Sequence, residues 1–116
     1  MLVSPAMPDE RIGTFRATAR DDGDRVVIVA EGELDLVGAP VLLAAVPAAG
    51  AAPVVLDLGG VGFMDSSGLR SLLEARQTCI DAGRGFAIAR PSDAVTRVLE
   101  LVDLVGEFEV VEPRVG

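Results

Sequence analysis

The sequence contains no histidine and no lysine, because all ten basic residues among its 116 are arginine. The chain therefore has no imidazole base, no phosphate-binding lysine and no lysine that forms a Schiff base. Serine and cysteine hydrolases normally place an imidazole beside the nucleophile. These absences exclude many enzyme mechanisms, and we predict a small soluble binding module that is not an enzyme.

Cysteine and aromatic residues are also scarce. The single cysteine, Cys79, cannot form an internal disulfide, and a zinc site needs several cysteine or histidine ligands. Its helical spacing predicts a core position, and a lone thiol is typical of the reducing cytoplasm. Tryptophan and tyrosine are absent, so we expect the four phenylalanines to fill the core: Phe15, Phe63, Phe86 and Phe108. We expect neither a metal nor a cofactor.

The chain is acidic, with a net charge of -8 and a pI near 4.3. Such a charge repels nucleic acids and anionic membranes, so we expect neither as a partner. Residues 36–56 contain no charged side chain, which is about the length that spans a bilayer. Three prolines, Pro40, Pro47 and Pro53, divide this stretch into a helix, a turn and a strand. We therefore predict two successive buried elements and no membrane insertion.

The pattern of apolar and turn residues predicts one α/β domain at residues 11–116, preceded by a flexible tail at 1–10 that does not resemble a secretory signal. An antiparallel hairpin is expected first, with strands at 15–19 and 25–30 and a polar connection at 31–35. A helix at 39–46 follows, with Pro40 in its first turn and Pro47 at its end or at a bend.

Strands and helices alternate in the remaining sequence. The predicted elements are a strand at 54–58, a helix at 66–82 ending at Gly83, a strand at 85–89, a helix at 92–102 and a strand at 108–111. Alternation after a hairpin favours a mixed, mostly parallel sheet of about five strands packed with helices. The glycine-rich residues 59–62 lack the lysine and the spacing of a nucleotide loop, and we interpret them as a turn.

Two short segments carry the strongest functional pattern. Residues 61–69 read VGFMDSSGL, where an aspartate and two serines precede a predicted helix, and residues 31–35 read EGELD. An aspartate or serine at a helix start is typical of capping. Together the two segments resemble the STAS domain family, and within it the bacterial anti-sigma factor antagonists. The resemblance extends over residues 15–111, and it implies the STAS fold.

The resemblance also implies a phosphorylation switch. Ser66 matches the family's phosphoacceptor, and Ser67 matches a neighbour that is not usually modified. The residues that match the partner-binding surface are Glu33, Asp35, Met64, Asp65, Ser67 and Gly68. By this resemblance, the unmodified protein binds an anti-sigma factor that is also a serine kinase, and the sigma factor is released. Phosphorylation of Ser66 by that kinase ends binding, and a serine phosphatase restores it.

Three features depart from the family pattern: Pro47, the uncharged stretch 36–50, and Arg70 where a small or apolar residue is common. Two other functions stay open at this point. One is a constitutive STAS subunit of a transporter or signalling complex, in which Ser66 is only a helix cap. The other is an enzyme that uses Asp35, Asp57 and Asp65 around an oxygen-ligand metal. The oligomeric state does not follow from the sequence.

Overall fold

A computed structural model describes residues 14–112, and the predicted tail at 1–10 lies outside this range. The described residues form one five-stranded sheet whose strands lie in sequence order. The strands are β1 (Phe15–Asp22), β2 (Arg25–Leu34), β3 (Val54–Met64), β4 (Phe86–Ala89) and β5 (Val110–Val111). The first pair is antiparallel and the others are parallel, which confirms the predicted mixed sheet.

The opening hairpin is present as predicted, with a two-residue turn between Asp22 and Arg25. Gly23 begins this turn with φ of 74°, a conformation that glycine adopts without steric cost. The Arg25 side chain donates from Nε to Asp22 Oδ2 at 3.0 Å across the turn. Both strands are longer than predicted, and the prediction of a polar connection at 31–35 is wrong for residues 31–34, which belong to β2.

β3 is the longest strand, and it also continues beyond its predicted end. The prediction of a glycine turn at 59–62 is wrong, because residues 60–64 stay paired with the end of β2 through two register shifts. Glycine allows the close approach: a β-carbon on Gly60 would lie 2.9 Å from Glu31 Cγ, and one on Gly59 would lie 2.9 Å from the Arg90 guanidinium carbon. Tertiary pairing thus overrides the local preference of glycine for turns.

Three helices connect the parallel strands: α1 (Ala39–Ala48), α2 (Ser66–Asp81) and α3 (Asp93–Leu101), and a 3-10 turn (Val105–Glu107) precedes β5. Pro47 lies inside the last turn of α1 and does not end it. Gly83 stops α2 as predicted, with φ of 73°. The backbone N–H of the next residue, Arg84, donates to Cys79 O at 2.8 Å, which completes the cap.

The main core lies between the sheet and the helices, and strand residues alternate between this core and a smaller apolar cluster around Val27, Val55 and Ala89. Cys79 is fully buried, so its predicted core position is confirmed. The prediction that all four phenylalanines fill the core is wrong, because Phe63 is 49% exposed. Ile80 near the end of α2 and Val102 just after the end of α3 are also exposed.

The outer face of α1 contradicts the prediction that residues 36–56 are two buried elements. Leu42 and Val46 are buried, but Val41 is 42% exposed and the neighbouring outer residues of the helix are exposed as well. The last three residues of the stretch, which begin β3 at Val54, are buried as predicted. Within the part of the chain that the structure describes, no helix combines the length and apolar character needed to cross a membrane.

Candidate functional site

The two segments singled out in the sequence meet at one edge of the sheet. β2 and β3 are parallel, and their register pairs Leu34 with Met64 at the last position of each strand. The backbone N–H of Asp65 also donates to Leu34 O at 3.5 Å. Because both strands end at the same place, the EGELD and MDSSG segments become neighbours although thirty residues separate them in the sequence.

Asp65 is the cap of α2. Its backbone is extended, with φ of −118°, and its Oδ1 accepts a hydrogen bond from the Gly68 N–H at 3.1 Å. Ser66 is the first residue of the helix and is exposed to solvent. The idea that Ser66 serves as the helix cap is therefore wrong, because the neighbouring carboxylate performs this role. The Ser66 side chain is left without a capping function.

The first turn of α2 is seated directly on the end of β2. Gly68 is buried, and a β-carbon at this position would collide with Leu34 O and lie 2.8 Å from Met64 Cγ. One turn later, the buried Ser71 hydroxyl donates to Gly68 O at 2.7 Å. These contacts fix the beginning of α2, and with it the position of Ser66, relative to the sheet.

Asp35 organises the turn that precedes α1. Its Oδ1 accepts hydrogen bonds from the N–H groups of Val37 at 3.0 Å and Gly38 at 2.9 Å. Its backbone oxygen accepts a third from Ala39 at 2.8 Å. Side-chain acceptance of this kind is typical of an aspartate in an Asx turn. Asp35 therefore shapes the loop between β2 and α1, and its side chain remains half-buried.

The predicted partner-binding residues differ in their accessibility. Glu33, Asp35, Asp65 and Ser67 are half-buried at the surface. Met64 is only 5% exposed and its side chain is part of the main core, and Gly68 is buried. These last two residues shape the surface from below. Contact of any of the six with a partner stays a prediction.

Sequence reasoning missed an apolar surface beside these residues. Leu36 and Val37, which directly follow the EGELD segment, are 74% and 65% exposed. A groove of about 220 Å³ lies between α1 and α2 and is lined by Leu36, Ala39, Pro40, Leu43, Ser67, Arg70, Ser71 and Glu74. The available signal was the position of two large aliphatic residues in a loop that has no polar side chain after Asp35.

The three aspartates of the metal-enzyme hypothesis are engaged separately. Asp35 holds the turn before α1 and Asp65 caps α2. The buried Asp57 pairs with Arg90, whose Nη2 lies 3.1 Å from Oδ2. Asp57 Oδ1 also accepts from the Gly59 N–H at 3.0 Å. Among residues 14–112, no group of three or more cysteine, aspartate or glutamate side chains is placed to hold a metal ion. The geometry gives this hypothesis no support.

Residues 17–112 match the family described as Mlab, STAS domain. The chain belongs to the STAS domain family. No curated protein matches this STAS domain in sequence. It is similar to the crystal structure of an anti-sigma factor antagonist from Mycobacterium paratuberculosis, with 28% identity, 90% of each chain covered and a TM-score of 0.76.

Two further structures share the fold. The Bacillus cell fate determinant SpoIIAA in its phosphorylated form is 22% identical, with 85% of this STAS domain and 92% of that chain covered and a TM-score of 0.65. The murine Slc26a9 anion transporter is 15% identical, with a TM-score of 0.67 over 82% of this chain and 17% of that one. The predicted STAS fold is thus confirmed.

Proposed function

We propose that this STAS domain is an anti-sigma factor antagonist whose partner binding is controlled by phosphorylation of Ser66. The observation that carries the proposal is the state of Ser66: it is exposed at the first position of α2, and Asp65 performs the capping in its place. The Mycobacterium paratuberculosis structure, itself an anti-sigma factor antagonist, supports the general role. The chain acts as a binding module, and a partner kinase supplies the nucleotide.

A phosphate on Ser66 is compatible with the fold. The start of α2 has free backbone N–H groups and the positive end of the helix dipole, both of which favour an anion. Arg70 lies one turn further along the helix and is exposed, at the spacing where oppositely charged side chains stabilise each other. The free energy of folding is therefore expected to change little on phosphorylation.

The same phosphate changes the docking surface strongly. It adds a charge of about −1.5 to −2 next to the Asp65 carboxylate, on a domain that is already acidic. Glu33 near the end of β2 and Asp35 just after it add to the negative potential of this edge. A protein that packs against an uncharged Ser66 would have to desolvate a dianion, which lowers affinity by about a hundredfold or more.

The proposed partners are an anti-sigma factor with serine kinase activity and a serine phosphatase, which implies a cytoplasmic setting. The unphosphorylated domain binds the kinase and displaces the sigma factor, and the phosphatase regenerates this form. A pull-down with the unphosphorylated full chain from its own cell extract, followed by mass spectrometry, identifies the kinase. Capture of a sigma factor itself without any kinase would contradict this order of binding.

The modification is tested with purified kinase and ATP. Mass spectrometry should find one phosphate on Ser66 in the wild type and in Ser67→Ala, and none in Ser66→Ala. In calorimetry, Ser66→Ala should bind the kinase like the wild type, whereas Ser66→Asp should bind more weakly because it carries part of the phosphate charge. Equal affinity of these two variants, with no phosphate on the wild type, would favour a constitutive binding subunit instead.

A further inference from the structure

The outer side of α1 and the loop before it form a continuous apolar surface, which we call the α1 surface: Leu36, Val37, Pro40, Val41, Ala44 and Pro47. All six residues are exposed. No residue between 36 and 56 has a charged or polar side chain. An outer helix face normally carries polar residues, and a large exposed apolar patch usually marks an interaction site.

A protrusion and a depression lie side by side on the α1 surface. Val37 is 65% exposed in the loop, and the neighbouring Leu36 forms part of the wall of the groove of about 220 Å³ between α1 and α2. A two-fold symmetric interface requires one patch to be complementary to itself. An apolar projection next to an apolar groove meets this requirement, because each copy can insert the projection into the other's groove.

The charges at the groove fit the same symmetry. Its two charged lining residues, Arg70 and Glu74, lie one turn apart on α2, and both are exposed. Although their spacing permits an ion pair, neither takes part in one within the described range 14–112. A two-fold axis at this groove would bring Arg70 of one copy to Glu74 of the other, twice per dimer.

We propose that the α1 surface is the interface through which two copies of this chain form a two-fold symmetric dimer. A lipid surface fits less well, since residues 36–56 contain no arginine and the net charge is -8. The groove also includes Ser67. A protein that docks at Ser67 would therefore compete with the second copy, but dimerisation itself does not require phosphorylation or a partner.

Sedimentation equilibrium on the full chain tests the proposal. We expect a dimer at a protein concentration of about 100 μM. The dimer should dissociate on dilution with a single Kd, because an interface of moderate energy gives a Kd that dilution can reach. Val41→Glu should weaken the dimer by about a hundredfold, because it buries an unpaired charge. Leu101→Glu is the matched control: Leu101 is 79% exposed at the end of α3, outside the groove lining, and its variant should dimerise like the wild type.

A charge exchange tests the two-fold pairing. Arg70→Glu and Glu74→Arg should each weaken the dimer by about tenfold through like-charge contacts, and the double variant should restore it. A monomeric wild type would overturn the proposal, even if Val41→Glu impaired binding to a different protein. A dimer that Val41→Glu leaves intact, or that Leu101→Glu weakens equally, would also overturn it. Circular dichroism of each variant verifies that the fold is retained.

Discussion

Gly68 at the start of α2 lies against the backbone carbonyl of Leu34 at the end of β2, with no room for a β-carbon between them. The same missing β-carbon would lie 2.8 Å from Met64 Cγ. The glycine of the MDSSG segment is therefore a packing requirement. It allows the helix that carries Ser66 to rest directly on the strand that carries Glu33.

Gly68→Ala should consequently lower the free energy of unfolding by about 2 kcal/mol, because a backbone carbonyl cannot move aside as a flexible side chain can. Gly62→Ala is the matched control, since a β-carbon on Gly62 would meet nothing within 4 Å. We expect the control to change stability by less than about 0.5 kcal/mol in urea denaturation. Equal effects of the two substitutions would contradict the packing argument.

Arg84 joins two segments by hydrogen bonds from a buried side chain. Its Nε donates to Ala52 O at 2.8 Å and its Nη1 to Val46 O at 3.0 Å, at the end of α1. Arg84→Met should destabilise the domain by about 2 kcal/mol, because both carbonyl groups lose their charged donor. Arg97 is exposed, so the control substitution Arg97→Met should change the midpoint of urea denaturation only slightly. A larger loss from Arg97→Met would count against this role of Arg84.

Two helices end with the same backbone geometry but different residues. At the end of α3, the Leu104 N–H donates to Leu99 O at 2.8 Å, and the residue before Leu104, Asp103, has a φ of 59°. The end of α2 has the same arrangement, with the Arg84 N–H donating to Cys79 O and Gly83 in the left-handed conformation. Since the left-handed conformation favours glycine, Asp103→Gly should stabilise the domain by about 0.5 kcal/mol.

The reverse substitution, Gly83→Asp, should destabilise by about 1 kcal/mol for the same reason. Thermal unfolding of the two variants should therefore shift in opposite directions from the wild type. Shifts of the same sign would mean that backbone conformation does not decide the effect.

The Cys79 thiol should give the stability a pH dependence. Burial raises the pKa of this thiol above its ordinary value, and the nearby Arg84 cation partly opposes that shift. Folding then favours the neutral thiol, so its contribution is present below the unfolded pKa and is lost as pH rises through the folded one. The chain has no lysine, histidine or tyrosine, the other residue types whose ordinary pKa values lie between about 6 and 11.

The free energy of unfolding should therefore fall above about pH 8.5 in the wild type and stay nearly constant in Cys79→Ala, measured by urea denaturation at each pH. The native thiol should also resist a disulfide-exchange reagent until the chain unfolds. Rapid labelling of the native protein, or the same pH profile in both proteins, would contradict the assignment.

The sequence predicted the order of elements well, because each helix and strand carries its own local pattern. The opening hairpin, the buried strand that begins at Val54 and the stop of α2 at Gly83 all follow from such patterns. The errors occur at residues whose secondary structure depends on pairing with a segment that is distant in the sequence. Residues 59–62 are rich in glycine and predict a turn, yet pairing with the end of β2 extends β3 through them to Met64.

At the site, the chemical groups can be read from the sequence alone: an aspartate, two hydroxyls and a glycine at a helix start, in a chain without histidine or lysine. How these groups are used depends on the fold. Parallel pairing of β2 with β3 brings Glu33 and Asp35 beside them, and burial assigns Met64 to the core. The reason is that local sequence fixes backbone preferences, whereas exposure and neighbourhood depend on contacts between segments that are far apart along the chain.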